Sequence, residues 1–299
     1  MELVIDFGGT FIKAGVIDRG VVAAATSDVV QGTSEDLSTA VRLARHVQTL
    51  AGGEVTGVGL AVPGVVSLAD GRLLHANDKY EWLTRTDLRA WGETTFGAPA
   101  IVENDARAAL IGETTFGAAS GTRDAVILVL GTGIGTAAMI GGELIRGAHN
   151  HAGILGGHFT IDIDGPRCPC GNTGCAEALA STWALKKTHP QLAGIKGLVR
   201  AAESDDAARA TLERYIQVWA ATVVNLCHAY DPDTVLLSGG VLQAGPAVCD
   251  PIRQYVAENL WPSQPRPSVV VPAQPEQSVL LGLAALAGGN SKESETLGG

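Results

Sequence analysis

The sequence predicts an α/β protein built from two related halves, and three features carry that prediction. Leu3-Val4-Ile5-Asp6-Phe7 is a short apolar run that stops at Gly8-Gly9-Thr10 and resumes at Ala14-Gly15-Val16-Ile17. This is the pattern of a strand, a tight glycine turn and a return strand. The same figure recurs at Val126-Ile127-Leu128-Val129-Leu130, Gly131-Thr132-Gly133-Ile134-Gly135 and Thr136-Ala137-Ala138-Met139-Ile140. Around the two hairpins, stretches of helical spacing alternate with short apolar runs, the rhythm of sheets covered by helices.

Taken in order, residues 34–51 place Leu37, Ala40, Val41, Ala44 and Val47 on one helical face. Val58-Gly59-Leu60-Ala61-Val62 reads as a strand stopped by Pro63-Gly64. A further strand around Ala98-Pro99-Ala100-Ile101-Val102 should end at Glu103-Asn104-Asp105, with a helix over 106–113. Asp105 then lies at the carboxyl edge of a strand, where open α/β sheets place ligands. In the second half Leu212, Tyr215, Ile216, Trp219, Val223 and Leu226 keep helical spacing, and Asp231-Pro232 ends that helix before a strand over 234–237. Ser238-Gly239-Gly240-Val241 follows it directly. Residues 125–142 carry no charge and are long enough to raise the question of a membrane helix. Gly131, Thr132, Gly133 and Gly135 interrupt that run at its centre, which suits a hairpin and weakens a helix, so no membrane association is expected.

With 299 residues the chain can bury a full core, and its length favours two domains. Lys+Arg 21 against Asp+Glu 31 leaves a net charge of -10, without the basic footprint of a nucleic-acid binder. The N-terminus lacks the basic flank and apolar core of a signal peptide, and a cytoplasmic location is expected. Of five cysteines, three fall at Cys168, Cys170 and Cys175 while Cys227 and Cys249 stand apart. That is no disulfide framework, and the isolated pair reads as ordinary buried cysteines.

Several groups could carry chemistry. In Asp6-x-Gly8-Gly9-Thr10 the glycines allow backbone N–H groups to approach phosphate, Thr10 adds a hydroxyl, and Asp6 can hold a magnesium-bound water. By itself the motif reads equally as a hairpin turn with an acid at its shoulder, and Gly131-Thr132-Gly133 and Ser238-Gly239-Gly240 are open to the same plain reading. Asp105 could take the proton of an attacking hydroxyl, with Asn104 holding a second one; the alternative is that Asn104-Asp105 caps the next helix. His158, Cys168, Cys170 and Cys175 supply four soft or borderline donors among turn residues, the composition of a closed, structural tetrahedral zinc site; unmetallated thiols are the alternative. Glu177, at the start of a helix, either points to a ligand or favours that helix N-terminus.

Asp6-Phe7-Gly8-Gly9-Thr10, Val102-Glu103-Asn104-Asp105-Ala106, Gly131-Thr132-Gly133-Ile134-Gly135, His158 with Cys168-x-Cys170-Gly171-x-x-Gly174-Cys175-x-Glu177, and Leu237-Ser238-Gly239-Gly240-Val241, in this order, resemble the ROK family of sugar kinases and sugar-responsive repressors. The resemblance covers nearly the whole chain. It implies two actin-like (ribonuclease H-like) α/β domains with a cleft between them. The smaller would span 1–114 and be completed by a C-terminal helix at 278–290; the larger, with the zinc motif, would span 115–277. It also implies ATP held by Asp6, Gly8, Gly9, Thr10, Lys13, Gly131, Thr132, Gly133, Gly239 and Gly240, with Asp6 serving Mg²⁺. Sugar would lie against Asn104, Asp105, His158 and Glu177, Asp105 acting as general base, and zinc would sit on His158, Cys168, Cys170 and Cys175. Most such kinases phosphorylate the 6-hydroxyl of a hexose or N-acetylhexosamine, and many are homodimers or homotetramers.

One departure matters. The family commonly shows Gly-Glu-x-Gly-His before the cysteines, its glutamate binding sugar hydroxyls, whereas this chain reads Gly153-Ile154-Leu155-Gly156-Gly157-His158. Glucose specificity is therefore not carried over. Two readings follow: an ATP-dependent sugar kinase, or a catalytically weak sugar-binding or sensor protein on the same fold. A DNA-binding repressor would need a winged-helix segment before the first hairpin, and only five residues precede Asp6.

Overall fold

The expected N-terminal hairpin opens the first sheet of the computed structural model, which describes residues 1–76 and 78–296. β1 (Glu2–Phe7) pairs antiparallel with β2 (Phe11–Asp18), setting Asp6 opposite Lys13, and β3 (Val21–Val29) adds at the edge. After α1 (Glu35–Ala51), β4 (Gly57–Val62) runs parallel to β1. A small antiparallel pair, β5 (Val65–Val66) with β6 (Leu73–His75), and a 3-10 segment at Asp78–Arg85 precede α2 (Leu88–Phe96). β7 (Ala100–Asn104) then passes directly into α3 (Asp105–Thr115). The sheet order is β3-β2-β1-β4-β7. β1 is buried on both faces, as its unbroken apolar run requires. Leu3, Ile5 and Phe7 pack with Ala40, Leu43 and Val47 of α1, while Val4 turns the other way.

The second hairpin opens the second sheet. β8 (Ala125–Leu130) and β9 (Ile134–Ile140) pair antiparallel, so the uncharged run at 125–142 is a hairpin. Among the described residues no helix is long and apolar enough to cross a membrane. β10 (Glu143–Leu144) leads into a loop region, followed by α4 (Ala176–Ala180), α5 (Thr182–Thr188), α6 (Gly194–Ala202) and the long α7 (Asp206–Tyr230). β11 (Thr234–Ser238), α8 (Pro246–Asn259) and β12 (Ser268–Val270) complete an order of β10-β9-β8-β11-β12. Both sheets thus consist of an antiparallel meander extended by two parallel strands, which gives the internal sequence repeat a topological basis. Buried Trp219 of α7 anchors this core and donates its indole N–H to Ala180 O at 2.8 Å.

α9 (Ser278–Thr296) returns to the first sheet, where Leu280, Leu283 and Ala284 meet Val4, Ala61 and Ala108. Its approach to α3 requires glycine: a Cβ on Gly282 would fall 1.7 Å from Ala108 O. The chain divides into one unit of Met1–Gly121, Arg146–Ala152 and the segment from Glu276 onward, and a second of Thr122–Ile145 with Gly153–Pro275. The sequence expectation is 1–114 completed by the helix at 278–290, and 115–277; in this division the first unit extends to Gly121 and also takes residues 146–152. The turn after α3 stays with that helix because buried Glu113 accepts from Ala118 N at 2.9 Å. Residues 146–152 stay with the first unit because Arg146 pairs with buried Glu103, and Arg107 Nη2 donates to Asn150 O at 3.0 Å and Ala152 O at 2.8 Å.

Candidate functional site

In the first unit the register of β1 on β2 sets Lys13 Nζ 3.5 Å from Asp6 Oδ2. Asp6 is buried, and its Oδ1 accepts no hydrogen bond among the described residues. Burial pushes this carboxyl above its ordinary value, against the pull of the Lys13 ammonium. A buried oxygen without a donor suits a cation or its bound water, so the position fits magnesium. The adjoining turn closes through Gly8 N donating to Phe11 O at 3.1 Å, and a Cβ on Gly8 would lie 2.9 Å from that same oxygen.

Of the pair Asn104-Asp105, the first takes the capping role that the sequence left open. Asn104 is the N-cap of α3: its Oδ1 accepts from Arg107 N at 3.1 Å. Its Nδ2 donates to Gly64 O at 3.0 Å and to Asp105 Oδ1 at 3.1 Å, which commits both amide hydrogens. Asp105 Oδ1 also accepts from Ala106 N at 2.8 Å, and its own backbone N–H is a further donor to the carboxyl, with no other residue's donor on Oδ2 among the described residues. Desolvation, and then the negative charge of Asp6, push the half-buried Asp105 carboxyl up from 3.8 to about 7, against the Ala106 and Asn104 hydrogen bonds. A carboxyl fixed on one oxygen, open on the other and poised near neutrality has the attributes of a general base.

In the second unit the glycine segments after β8 and β11 meet. Gly131 and Gly240 line one cavity of about 200 Å³ with Leu130, Thr182, Lys196 and Val241. Nothing stands within 4 Å of a Cβ placed on either glycine, whereas one on Gly239 (φ 102°) would fall 2.2 Å from Leu130 O. Thr132 O accepts from Trp183 N at 3.0 Å. Glu177 Oε2 accepts from Ile134 N at 2.8 Å, and a Cβ on Gly133 would lie 2.3 Å from that oxygen. Glu177 therefore tethers the hairpin, a role its sequence position did not announce. A cavity bounded by two glycines without side chains, with Thr182 and Lys196 on its wall, has room and polarity for part of a nucleotide.

The four cysteine and histidine donors converge. Cys168 Sγ lies 3.7 Å from His158 Nδ1, and Cys170 Sγ 3.7 Å from Cys175 Sγ. All four ligand atoms fall within 4.8 Å of one another. Zn–S bonds of about 2.3 Å in a tetrahedron give S···S edges of about 3.8 Å, so the donor set fits zinc in both chemistry and spacing. Glycines shape the loop: Gly174 (φ 68°) would put a Cβ 1.5 Å from Asp162 O.

Gly156 and Gly157, just before His158, are packed too closely to carry a side chain. A Cβ on Gly157 would meet Ile134 O at 2.1 Å and one on Gly156 would meet Thr136 Cγ2 at 2.7 Å. Ile154 is buried, so the outward-facing side chain here is Leu155, 40% exposed. Sequence reasoning missed the Glu103–Arg146 pair and the contacts of Lys79 and Tyr80 with the Gly8–Gly9 turn, all of which join residues far apart in the chain.

The ROK family model matches residues 2–290. A glucokinase of Thermotoga maritima is 31% identical over 284 residues, 87% of this chain and 88% of its own. A xylose repressor of Bacillus spizizenii is 29% identical over 210 residues, 69% of this chain and 54% of its own. The crystal structure of a ROK family glucokinase from Streptomyces griseus, in complex with glucose and AMPPNP, superposes with a TM-score of 0.81 at 30% identity, covering 95% of this chain and 99% of that one. With the family match spanning residues 2–290, and so both sheets, the chain belongs to the ROK family.

Proposed function

We propose that this protein is an ATP-dependent sugar kinase that phosphorylates a hydroxyl, at the 6-position, of a hexose or hexose derivative. The observation that carries the reading is Asp105, held on one oxygen, open on the other and titrating near 7. Its carboxylate takes the proton of the attacking hydroxyl while Asn104 keeps it oriented. Glu177 Oε1 and His158 Nε2 are the atoms left for further sugar hydroxyls, because Glu177 Oε2 is tied to Ile134 N and His158 Nδ1 faces Cys168. Gly8, Gly9, Thr10 and Lys13 bind phosphate, and Gly131, Thr132, Gly133, Gly239 and Gly240 bind the nucleotide. Magnesium, held through Asp6, would neutralise charge on the transferring phosphoryl group. Zinc, held by His158, Cys168, Cys170 and Cys175, would be structural, since four protein donors leave no open position. A homodimeric or homotetrameric cytoplasmic enzyme belongs to the same proposal.

A coupled assay of ADP release over hexoses, pentoses and amino sugars, with the product's phosphorylated position read by NMR, tests this. Absence of turnover on every sugar would defeat it. The second reading, a sugar-binding or sensor protein, is favoured by the apolar Ile154-Leu155 segment and by the similarity to a xylose repressor. Sugar binding seen by calorimetry without turnover would establish it.

A further inference from the structure

The turn formed by Gly8, Gly9 and Thr10 has all three of its carbonyl oxygens occupied by donors from elsewhere in its own unit. Tyr80 Oη donates to Gly8 O at 2.8 Å, Lys79 Nζ to Gly9 O at 2.9 Å, and Val30 N to Thr10 O at 3.0 Å. Carbonyl oxygens repel phosphate oxygens, and N–H groups attract them. With each carbonyl turned onto a donor, the turn presents no bare carbonyl to an anion, although Gly8 N is itself spent on Phe11 O.

The two side chains are placed with some care. Tyr80 is fully buried and lies edge-on to Phe7 at 6.2 Å between ring centroids. Burial, followed by the charges of Asp36, Asp6 and Asp105, pushes its phenol far above the ordinary value, so it remains a donor. The stem of Lys79 runs beside Gly32, 3.8 Å from where a Cβ would stand. Buried Asp36 fixes that loop by accepting from Gln31 N and Gly32 N, each at 2.9 Å. The exposed ammonium of Lys79 thus arrives at the turn along a defined path, with a neutral carbonyl as its contact and no carboxylate paired to it among the described residues. Lys13 already has Asp6 as a counter-ion at 3.5 Å, so its charge is partly offset. Asp36, and in part Asp6 and Asp105, bring negative charge to this region, and a cation on the turn would offset it for an incoming polyphosphate.

We propose that Lys79 is a phosphate-binding cation at this turn and that Tyr80 is a positioning residue holding the Gly8 carbonyl off the anion. The inference rests on the nucleotide-dependent reading above and goes beyond its motif residues. Calorimetric titration of Mg-ATP, magnesium tripolyphosphate and adenosine into wild type, Lys79→Met, Lys79→Arg and Tyr80→Phe tests it. Lys79→Met should weaken both polyphosphates about tenfold or more, leave adenosine and the melting temperature unchanged, and flatten the salt dependence of binding. Lys79→Arg should restore most of the affinity. Tyr80→Phe should weaken the polyphosphates in the same direction, and KM for Mg-ATP should rise with KM for sugar unchanged. Wild-type affinity for both polyphosphates in Lys79→Met, an equal loss for adenosine, or a wild type that binds neither polyphosphate would overturn the proposal. A wild type that binds Mg-ATP yet phosphorylates no sugar would defeat the kinase reading alone, since the binding comparison still reports on Lys79.

Discussion

Replacing Asp105 by Asn should slow the enzyme and stabilise it, and the two effects can be separated. Without an acceptor for the hydroxyl proton, kcat should fall about 10²-fold or more, because general-base assistance supplies about 10²–10⁴. Sugar affinity should change little, since Asn keeps the shape and the neighbouring Asn104 is untouched. The stability effect follows from the carboxyl's rise from 3.8 to about 7. A group whose pKa is raised on folding supports the native state fully below its unfolded value, and that support is lost as pH climbs through the folded value. A rise of about three units corresponds to about 4 kcal/mol. Allowing for solvent screening of a side chain that is only half-buried, about 2 kcal/mol remains. Asn does not titrate, so its melting temperature relative to wild type should rise between pH 4 and pH 8 by about 4–8 °C. Melts must be run without magnesium or nucleotide, because a cation at Asp6 would cancel one cause of the shift. Parallel melting curves across pH 4–8 would refute the perturbed carboxyl, and near-wild-type kcat would make Asp105 merely the first residue of a helix.

Three other outcomes are expected. Metal analysis of protein purified without added zinc should give one zinc per chain, and Cys170→Ser should reduce folding yield before it alters substrate preference; well-folded, active protein without zinc would contradict this. Glu177→Ala strands the Ile134 N–H and should cost about 1–3 kcal/mol with a raised KM for Mg-ATP, while Glu177→Gln, which keeps an acceptor, should recover stability; an unchanged melting temperature in Glu177→Ala would remove the tether from the account. Because Ile154-Leu155-Gly156-Gly157 offers apolar groups and bare backbone where the family usually offers a carboxylate, kcat/KM for glucose should not exceed that for its epimers, N-acetylhexosamines or deoxyhexoses; a tenfold preference for glucose, about 1.4 kcal/mol, would refute an apolar edge to the sugar site.

The legible parts of the molecule were those written locally. Asp6 through Thr10 and Leu130 through Gly135 show their hairpins as apolar runs broken by glycine, and the cysteines cluster within one loop. β3 was not anticipated: in Val21–Val29 the residues alternate between exposed and half-buried, and three consecutive alanines blur the period. Asn104 and Asp105 were recognisable as a pair, but which one capped and which stayed open depends on Gly64, forty residues upstream. Lys79, Tyr80, Glu103 and Arg146 act across 43 to 72 residues of sequence. A lysine and a tyrosine in a 3-10 segment carry no local mark of the carbonyls they will meet, and the same holds for any contact made by topology instead of spacing.

The return of α9 to the first sheet bears on how the chain is made. Val4, Ala61 and Ala108 are covered only when Leu280, Leu283 and Ala284 arrive. A ribosome that has produced the whole first sheet has therefore produced a domain with an uncovered apolar face. The second sheet and its helices draw on one continuous stretch apart from residues 146–152, and can consolidate while that face waits. Although it is synthesised first, the N-terminal unit is the last to finish, reversing the usual order of folding during synthesis. Between emergence of Ala108 and emergence of Ala284, that apolar face stays uncovered by its own helix.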